Sequence, residues 1–183
     1  MVEHPATSSP GLAFMLSTIA GMGEAPAFDW WAKMRANGLK VTKGWSEAYY
    51  TEFSRNGGKY PIVVSYATSP AAEVFYSKEK VTEPPTGSLA LKGGVFQQVE
   101  GAGLVKGGKQ PEAAGKFIEF MRSAAVQEAL QTEMWMYSVE PTTTKADVMR
   151  HAPEPAAHDT MAAADIAAKS SGWVSRWTKV VLK

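Results

Sequence analysis

A chain of 183 residues, 45% hydrophobic and 20% charged, holds enough apolar material for one real core, as one large domain or two small ones. Its net charge of +1 offers nothing to attract nucleic acid or an acidic membrane surface, and no apolar run is long enough to span a bilayer. The lack of cysteine removes disulfides, thiolate metal sites and cysteine nucleophiles together.

Met1-Val2 leads directly into polar residues, without a basic or apolar leader pattern, so no secretory signal is expected in this chain. Serine followed by proline at Ser9-Pro10 predicts a helix start. Leu12, Phe14, Met15, Leu16 and Ile19 supply its apolar face, and Gly21 and Gly23 end it. A second helix carries Phe28, Trp30, Trp31 and Met34 and closes near Asn37-Gly38. Leu39 to Thr42 reads as a short strand, after which Trp45-Ser46 turns into a helix reaching about Phe53. Ile62 to Tyr66 is mostly apolar and β-branched, which predicts a buried parallel strand, and Ser69-Pro70 restarts a helix through Phe75. Repeated strand-to-helix steps indicate an α/β lobe.

Residues 78–94 read as a loop with one weak strand, and 95–105 as an extended segment interrupted by Gly101 and Gly103. Pro111 starts a predicted helix in which Ala114, Phe117, Ile118, Met121 and Ala125 recur at helical spacing. The Ala/Pro-rich stretch from His151 to His158 is a connector, and a final helical region runs from about Thr160 to Val181.

Two segments carry the chemistry: Lys43-Gly44-Trp45-Ser46-Glu47-Ala48-Tyr49 and Val64-Ser65-Tyr66-Ala67-Thr68-Ser69-Pro70. Each puts aromatic rings beside hydroxyls at a predicted helix start, a mixture suited to holding a flat polar molecule. Thr7-Ser8-Ser9-Pro10-Gly11 repeats the hydroxyl turn. Free backbone N–H groups and the positive end of the helix dipole make such starts natural cradles for phosphate. Taken singly, each serine-proline start is more often a plain cap. Several of them following strands predict convergence at the carboxyl edge of a sheet, where α/β folds bind ligands.

Trp45 and Tyr66 lie at predicted strand-to-helix turns, and Trp135 follows the end of a helix, positions from which rings stack on cyclic or cationic ligands. Trp30, Trp31, Trp173 and Trp177 sit inside helical patterns and are assigned to packing. The three histidines are dispersed, which disfavours a metal site, and no serine lies in a nucleophile-elbow context. Tyr49-Tyr50 resembles an iron-binding tyrosine pair only superficially, because neighbours on a helix face different ways.

The same segments closely resemble the periplasmic thiamine-binding protein family, the substrate-binding components of bacterial thiamine ABC transporters. The matching stretches are Pro5 to Leu12, Val41 to Tyr49, Ser65 to Ala71 and Trp135-Met136-Tyr137, with Lys109 to Met121 as the family's late helix and Gly172 to Trp177 as its terminal one. The resemblance implies an α/β fold, one lobe of a type II periplasmic-binding-protein fold with C-terminal helices. Residues 1–95 are then the α/β ligand-binding lobe, and 96–130 a return strand and helix normally associated with a first lobe that this chain lacks. Residues 131–183 form a C-terminal helical region packing on the ligand-binding lobe.

Carried over by position, the resemblance implies ligand contacts from Ser8, Ser9, Trp45, Tyr66, the backbone of Ala67, Thr68, Ser69 and Trp135. Ser9 replaces a threonine, Ala67 stands where threonine is usual, and Ala72 stands where a tyrosine is familiar. It implies a periplasmic, non-enzymatic protein without a cofactor. The expected partners are thiamine or thiamine phosphate and an ABC transporter permease in the membrane, with no nucleic acid. A fragment lacking the first lobe, or an oligomer covering the exposed face by self-association, is expected. The competing readings are a thiamine-metabolising enzyme on the same fold, disfavoured by the missing cysteine, and a binder of ferric ion or another anion.

Overall fold

Val2 and Glu3 form strand β1, which pairs in parallel with β2 (Val41–Thr42), Val2 opposite Val41 and Glu3 opposite Thr42. These four residues are the only regular sheet in the computed structural model, which describes residues 1–183. Helix α1 (Ser9–Met22) follows β1, α2 (Glu24–Ala36) precedes β2, and α3 (Trp45–Glu47) continues into a π-helical turn at Ala48–Glu52. The remaining helices are α4 (Ser69–Phe75), α5 (Pro111–Met121), α6 (Ala124–Glu133) and α7 (Ala163–Leu182). The chain forms two compact units. The first comprises Met1–Tyr66, Leu89–Gln98 and Pro155–Lys183; the second comprises Ala67–Ser88 and Val99–Glu154.

The core of the first unit is built from α1, α2 and α7 around Val2. Met15, Leu16, Ile19, Phe28, Trp31, Trp173, Trp177 and Val181 are all buried there. Trp31 meets Phe14, Trp30 and Trp177 edge-on, with centroids 5.7, 4.9 and 5.4 Å away. Each such pair contributes about 0.5–1.5 kcal/mol beyond the area it buries. The Trp31 indole N–H donates to the Thr18 hydroxyl at 3.0 Å, so that polar atom is satisfied inside the core. The packing role expected of the helical tryptophans therefore holds. Gly11 lets α1 approach β1 closely, since any Cβ there would collide with the Glu3 carbonyl.

Residues Ile62 to Val64 run beside β1 in the expected parallel sense. The Met1 ammonium donates to Ile62 O at 2.8 Å, and Val64 N–H donates to Met1 O at 3.3 Å. The predicted buried strand is nevertheless not formed: Ile62 is exposed, and Val63 and Val64 are half-buried. An apolar run signals burial only if both flanks find partners, and here Met1 alone supplies a one-residue ladder. Residues 78–94 are a loop without the weak strand, and Phe96 makes a single bridge to Asp159.

In the second unit, α4 packs on the short 3₁₀ turn Asp147–His151 through Ala71, Met149 and Ala152. The helix predicted from Pro111 through Ala125 breaks at Arg122-Ser123, because Ser123 takes the extended conformation of an N-cap and starts α6. No residue of α5 is buried, and Phe117 and Phe120 are exposed. Two buried glutamines one turn apart on α6 hold the chain beyond it. Gln127 donates to Met121 O and accepts from Ser138 Oγ and Val139 N–H. Gln131 donates to Thr144 O at 2.8 Å and accepts from Ala146 N–H at 3.1 Å. Buried amides tolerate desolvation only when paired in this way.

Candidate ligand-binding site

Parallel alignment directs three chain segments, the two strands and the neighbouring Ile62 to Val64 segment, past the carboxyl edge of the sheet. β1 runs into His4 to Ser8, β2 into Lys43-Gly44, and the Ile62 to Val64 segment into Ser65-Tyr66. His4 N–H donates to Thr42 O at 2.9 Å, and the Thr7 hydroxyl donates to Lys43 O at 2.6 Å, tying the first two turns together. Sequence reasoning expected the hydroxyl helix starts at Ser8-Ser9, Ser46 and Thr68-Ser69 to converge on such an edge. The first unit brings the turns bearing Ser8-Ser9, Trp45-Ser46 and Tyr66 side by side, while Thr68 and Ser69 belong to the second unit.

Ser8 occupies the N-cap of α1 in an extended conformation, one residue earlier than the serine-proline signal predicts, and Pro10 falls in the first turn. The Ser8 backbone carbonyl accepts from Leu12 N–H at 2.9 Å, but its hydroxyl makes no capping bond. The plain-cap reading thus accounts for the Ser8 backbone and leaves its hydroxyl uncommitted. The amides of Ser9 and Gly11 lie in the first turn, where a helix has no internal acceptor for them. Ser9 is exposed and also borders an apolar groove of about 250 Å³ with Leu12, Leu16 and Phe96.

Trp45 is half-buried at the start of α3. One face stacks on the buried Tyr49 at 4.8 Å, Tyr50 meets it edge-on at 5.2 Å, and its indole N–H donates to Ser65 Oγ at 2.8 Å. Tyr66 lies 6.0 Å away, tilted by 55°, and its ring is exposed. Tyr49 is buried while Tyr50 points to solvent, as expected of neighbours on one helical turn. Lys43 N–H donates to Glu47 Oε2 at 3.1 Å, which fixes the turn from which Trp45 projects.

Ala67, Thr68, Ser69 and Trp135 belong to the second unit. Thr68 is the N-cap of α4, but its hydroxyl again makes no cap bond; it donates to Trp135 O at 2.8 Å from a buried position. Trp135 has φ = +56°, the left-handed region where a helix C-terminus usually places glycine. That conformation lets Met136 N–H reach back to Leu130 O at 3.2 Å. The strain of a bulky residue there is of order 1 kcal/mol or more, and the Thr68 hydroxyl helps to hold it. The Ala67 carbonyl accepts from Ser88 Oγ at 3.1 Å, and Ser69 is half-buried at the first position of α4.

Nearby Tyr137 packs on the Ala71–Met149 cluster, and burial pushes its phenol up to about 12, so it stays neutral. Sequence reasoning missed Ser65, Phe75 and Tyr76, whose roles depend on which rings they meet. The one available signal was Phe75-Tyr76 at the end of a helix that begins with a hydroxyl.

The pattern of the family described as bacterial extracellular solute-binding protein matches residues 1–169. A thiamine-binding periplasmic protein of Escherichia coli (strain K12) is 36% identical over 180 residues, covering 98% of this chain and 52% of that protein. One from Brucella melitensis biotype 1 is 30% identical over 178 residues, covering 97% and 51%. A solved structure described as a periplasmic thiamin binding protein superposes with a TM-score of 0.77 at 34% identity, covering 98% of this chain and 54% of that one. The chain therefore spans about half the length of the curated relatives it matches. The small parallel sheet, flanking helices and this structural neighbour give the expected α/β lobe of a periplasmic-binding-protein fold. With its sequence pattern matched over nearly the whole length, the chain belongs to the bacterial extracellular solute-binding protein family.

Proposed function

We propose that this chain binds thiamine or a thiamine phosphate in the bacterial periplasm and presents it to an ABC transporter permease. It acts by binding and not by catalysis. The observation that carries the reading is an indole–phenol pair, Trp45 and Tyr66, at a sheet edge where α1 also begins with an uncommitted hydroxyl and free amides. Such rings suit the pyrimidine and the cationic thiazolium, and a helix start suits a phosphate or hydroxyethyl end. The names of the relatives support the same ligand.

In this reading Ser8, Ser9 and Ser69 supply hydroxyls, Ala67 a backbone contact, and Trp45, Tyr66 and Trp135 the stacking surfaces. Thr68 acts through Trp135, whose carbonyl it holds. Residues 1–95 serve as the ligand-binding lobe and 131–183 as its C-terminal helical region. Residues 96–130 meet a first lobe or a second copy, for which the exposed Phe117 and Phe120 provide the apolar surface. Titration calorimetry with thiamine, thiamine monophosphate and ferric citrate tests the assignment. Saturable binding of either thiamine compound supports it, and binding of ferric citrate alone overturns it.

A further inference from the structure

Trp135 does not stand by itself in the second unit. Phe75 and Tyr76, the last residue of α4 and its C-cap, meet its ring edge-on at 5.4 and 5.7 Å and meet each other at 5.1 Å. The interplanar angles are 90°, 75° and 65°, so three rings of nearly equal spacing stand almost mutually perpendicular. They form the corner of a box rather than a stack. Phe75 is 50% exposed and Tyr76 65% exposed, so the corner contributes little buried area of its own.

Two further observations mark it as built. Trp135 is held in its strained backbone conformation by the Thr68 hydroxyl, and the Gln127 and Gln131 amides fix the chain that follows it. Tyr76 lies one helical turn beyond Ala72, with Tyr76 N–H donating to Ala72 O at 3.0 Å, so the two positions share a face. Each edge-to-face contact covers part of one ring, and the exposure of Phe75 and Tyr76 leaves ring surface accessible to a ligand. Centroids only 5.1, 5.4 and 5.7 Å apart allow a cation outside the cluster to lie within the roughly 6 Å reach of more than one ring.

We propose that Phe75, Tyr76 and Trp135 form an aromatic corner that receives the cationic ring of the ligand. This rests on the thiamine reading and adds Phe75 and Tyr76 to its site. The corner selects for positive charge as well as for flatness, because an uncharged ring gains stacking but no charge–quadrupole attraction.

The test compares the affinity of the full chain for thiamine and for thiochrome, its oxidised derivative that has lost the thiazolium charge. The Phe75→Ala/Tyr76→Ala double variant should lose about three- to thirtyfold in thiamine affinity, with a smaller change for thiochrome. Tyr76→Phe, which keeps the ring, should retain thiamine binding. Tyr76→Leu keeps apolar bulk without a π-face and should lose part of that affinity, no more than the double variant does, which preserves the test if the double variant fails to fold. Unchanged thiamine affinity in Tyr76→Leu, or equal losses for the two ligands, overturns the corner while leaving the thiamine reading intact. Failure of the unaltered chain to bind thiamine overturns the functional reading and the corner with it.

Discussion

Glu3 is the least expected residue in the sheet: its side chain is fully buried and neither carboxylate oxygen has a hydrogen-bond partner. Burial pushes its carboxyl up from 4.5 to about 7, against a smaller opposing effect of its own backbone N–H and of the Met1 ammonium. Burial also lowers the pKa of that amine, so its help fades as pH rises. Between pH 4.5 and 7 the folded protein holds a proton on Glu3 that the unfolded chain has released. Stability therefore falls as pH rises through this window and levels off above it. At about 1.4 kcal/mol per pH unit, the carboxylate costs roughly 3 kcal/mol at pH 8 relative to a neutral side chain. Glu3→Gln removes the titration while keeping shape and length. Urea unfolding followed by tryptophan fluorescence, repeated from pH 4.5 to 8.5, should give nearly equal stabilities at the acid end and an advantage for the variant of up to about 3 kcal/mol at pH 8. A stability difference that stays constant across the window would refute the argument, because it would mean that Glu3 keeps its unfolded-state affinity for protons.

The remaining predictions concern the site. Trp45→Ala should weaken thiamine binding by about 0.5–2 kcal/mol in calorimetry, and unchanged affinity removes Trp45 from the site; some stability is lost with its Tyr49 stack and Ser65 hydrogen bond. Alanine at Ser8, Ser9 and Ser69 should reduce affinity for thiamine phosphate more than for thiamine, and equal losses count against a phosphate cradle. Because the Ser8 hydroxyl makes no cap bond, Ser8→Ala should cost clearly less than the roughly 1 kcal/mol of a lost cap in thermal or urea unfolding. The 183-residue chain should bind thiamine more weakly than the Escherichia coli relative and should self-associate in sedimentation through the α5 face bearing Phe117 and Phe120. A monomer that matches the relative in affinity would contradict both expectations.

The sequence by itself determined where most helices begin and marked the segments proposed to carry the site, because those signals are local, although it ran α5 and the start of α6 together. Ser9-Pro10, Ser69-Pro70 and Pro111 mark helix starts through the fixed φ of proline, and the observed helices begin at or within one residue of them. The tryptophans at helical spacing were legible as core for the same reason. What the sequence misjudged depended on partners distant along the chain. Ile62 to Val64 has the composition of a buried strand but finds only Met1 to pair with. Thr68 has the sequence of a cap, yet its hydroxyl is taken by Trp135, 67 positions away. The placement of Ser8, Trp45 and Tyr66 at one sheet edge required the parallel register of Val2 with Val41, and the aromatic corner required Trp135 to adopt a left-handed turn. Local propensity fixes where a helix begins through its own few dihedral angles. Which hydroxyl remains free, which ring keeps an open face and which carboxylate loses water are set by atoms that only the tertiary structure brings within contact.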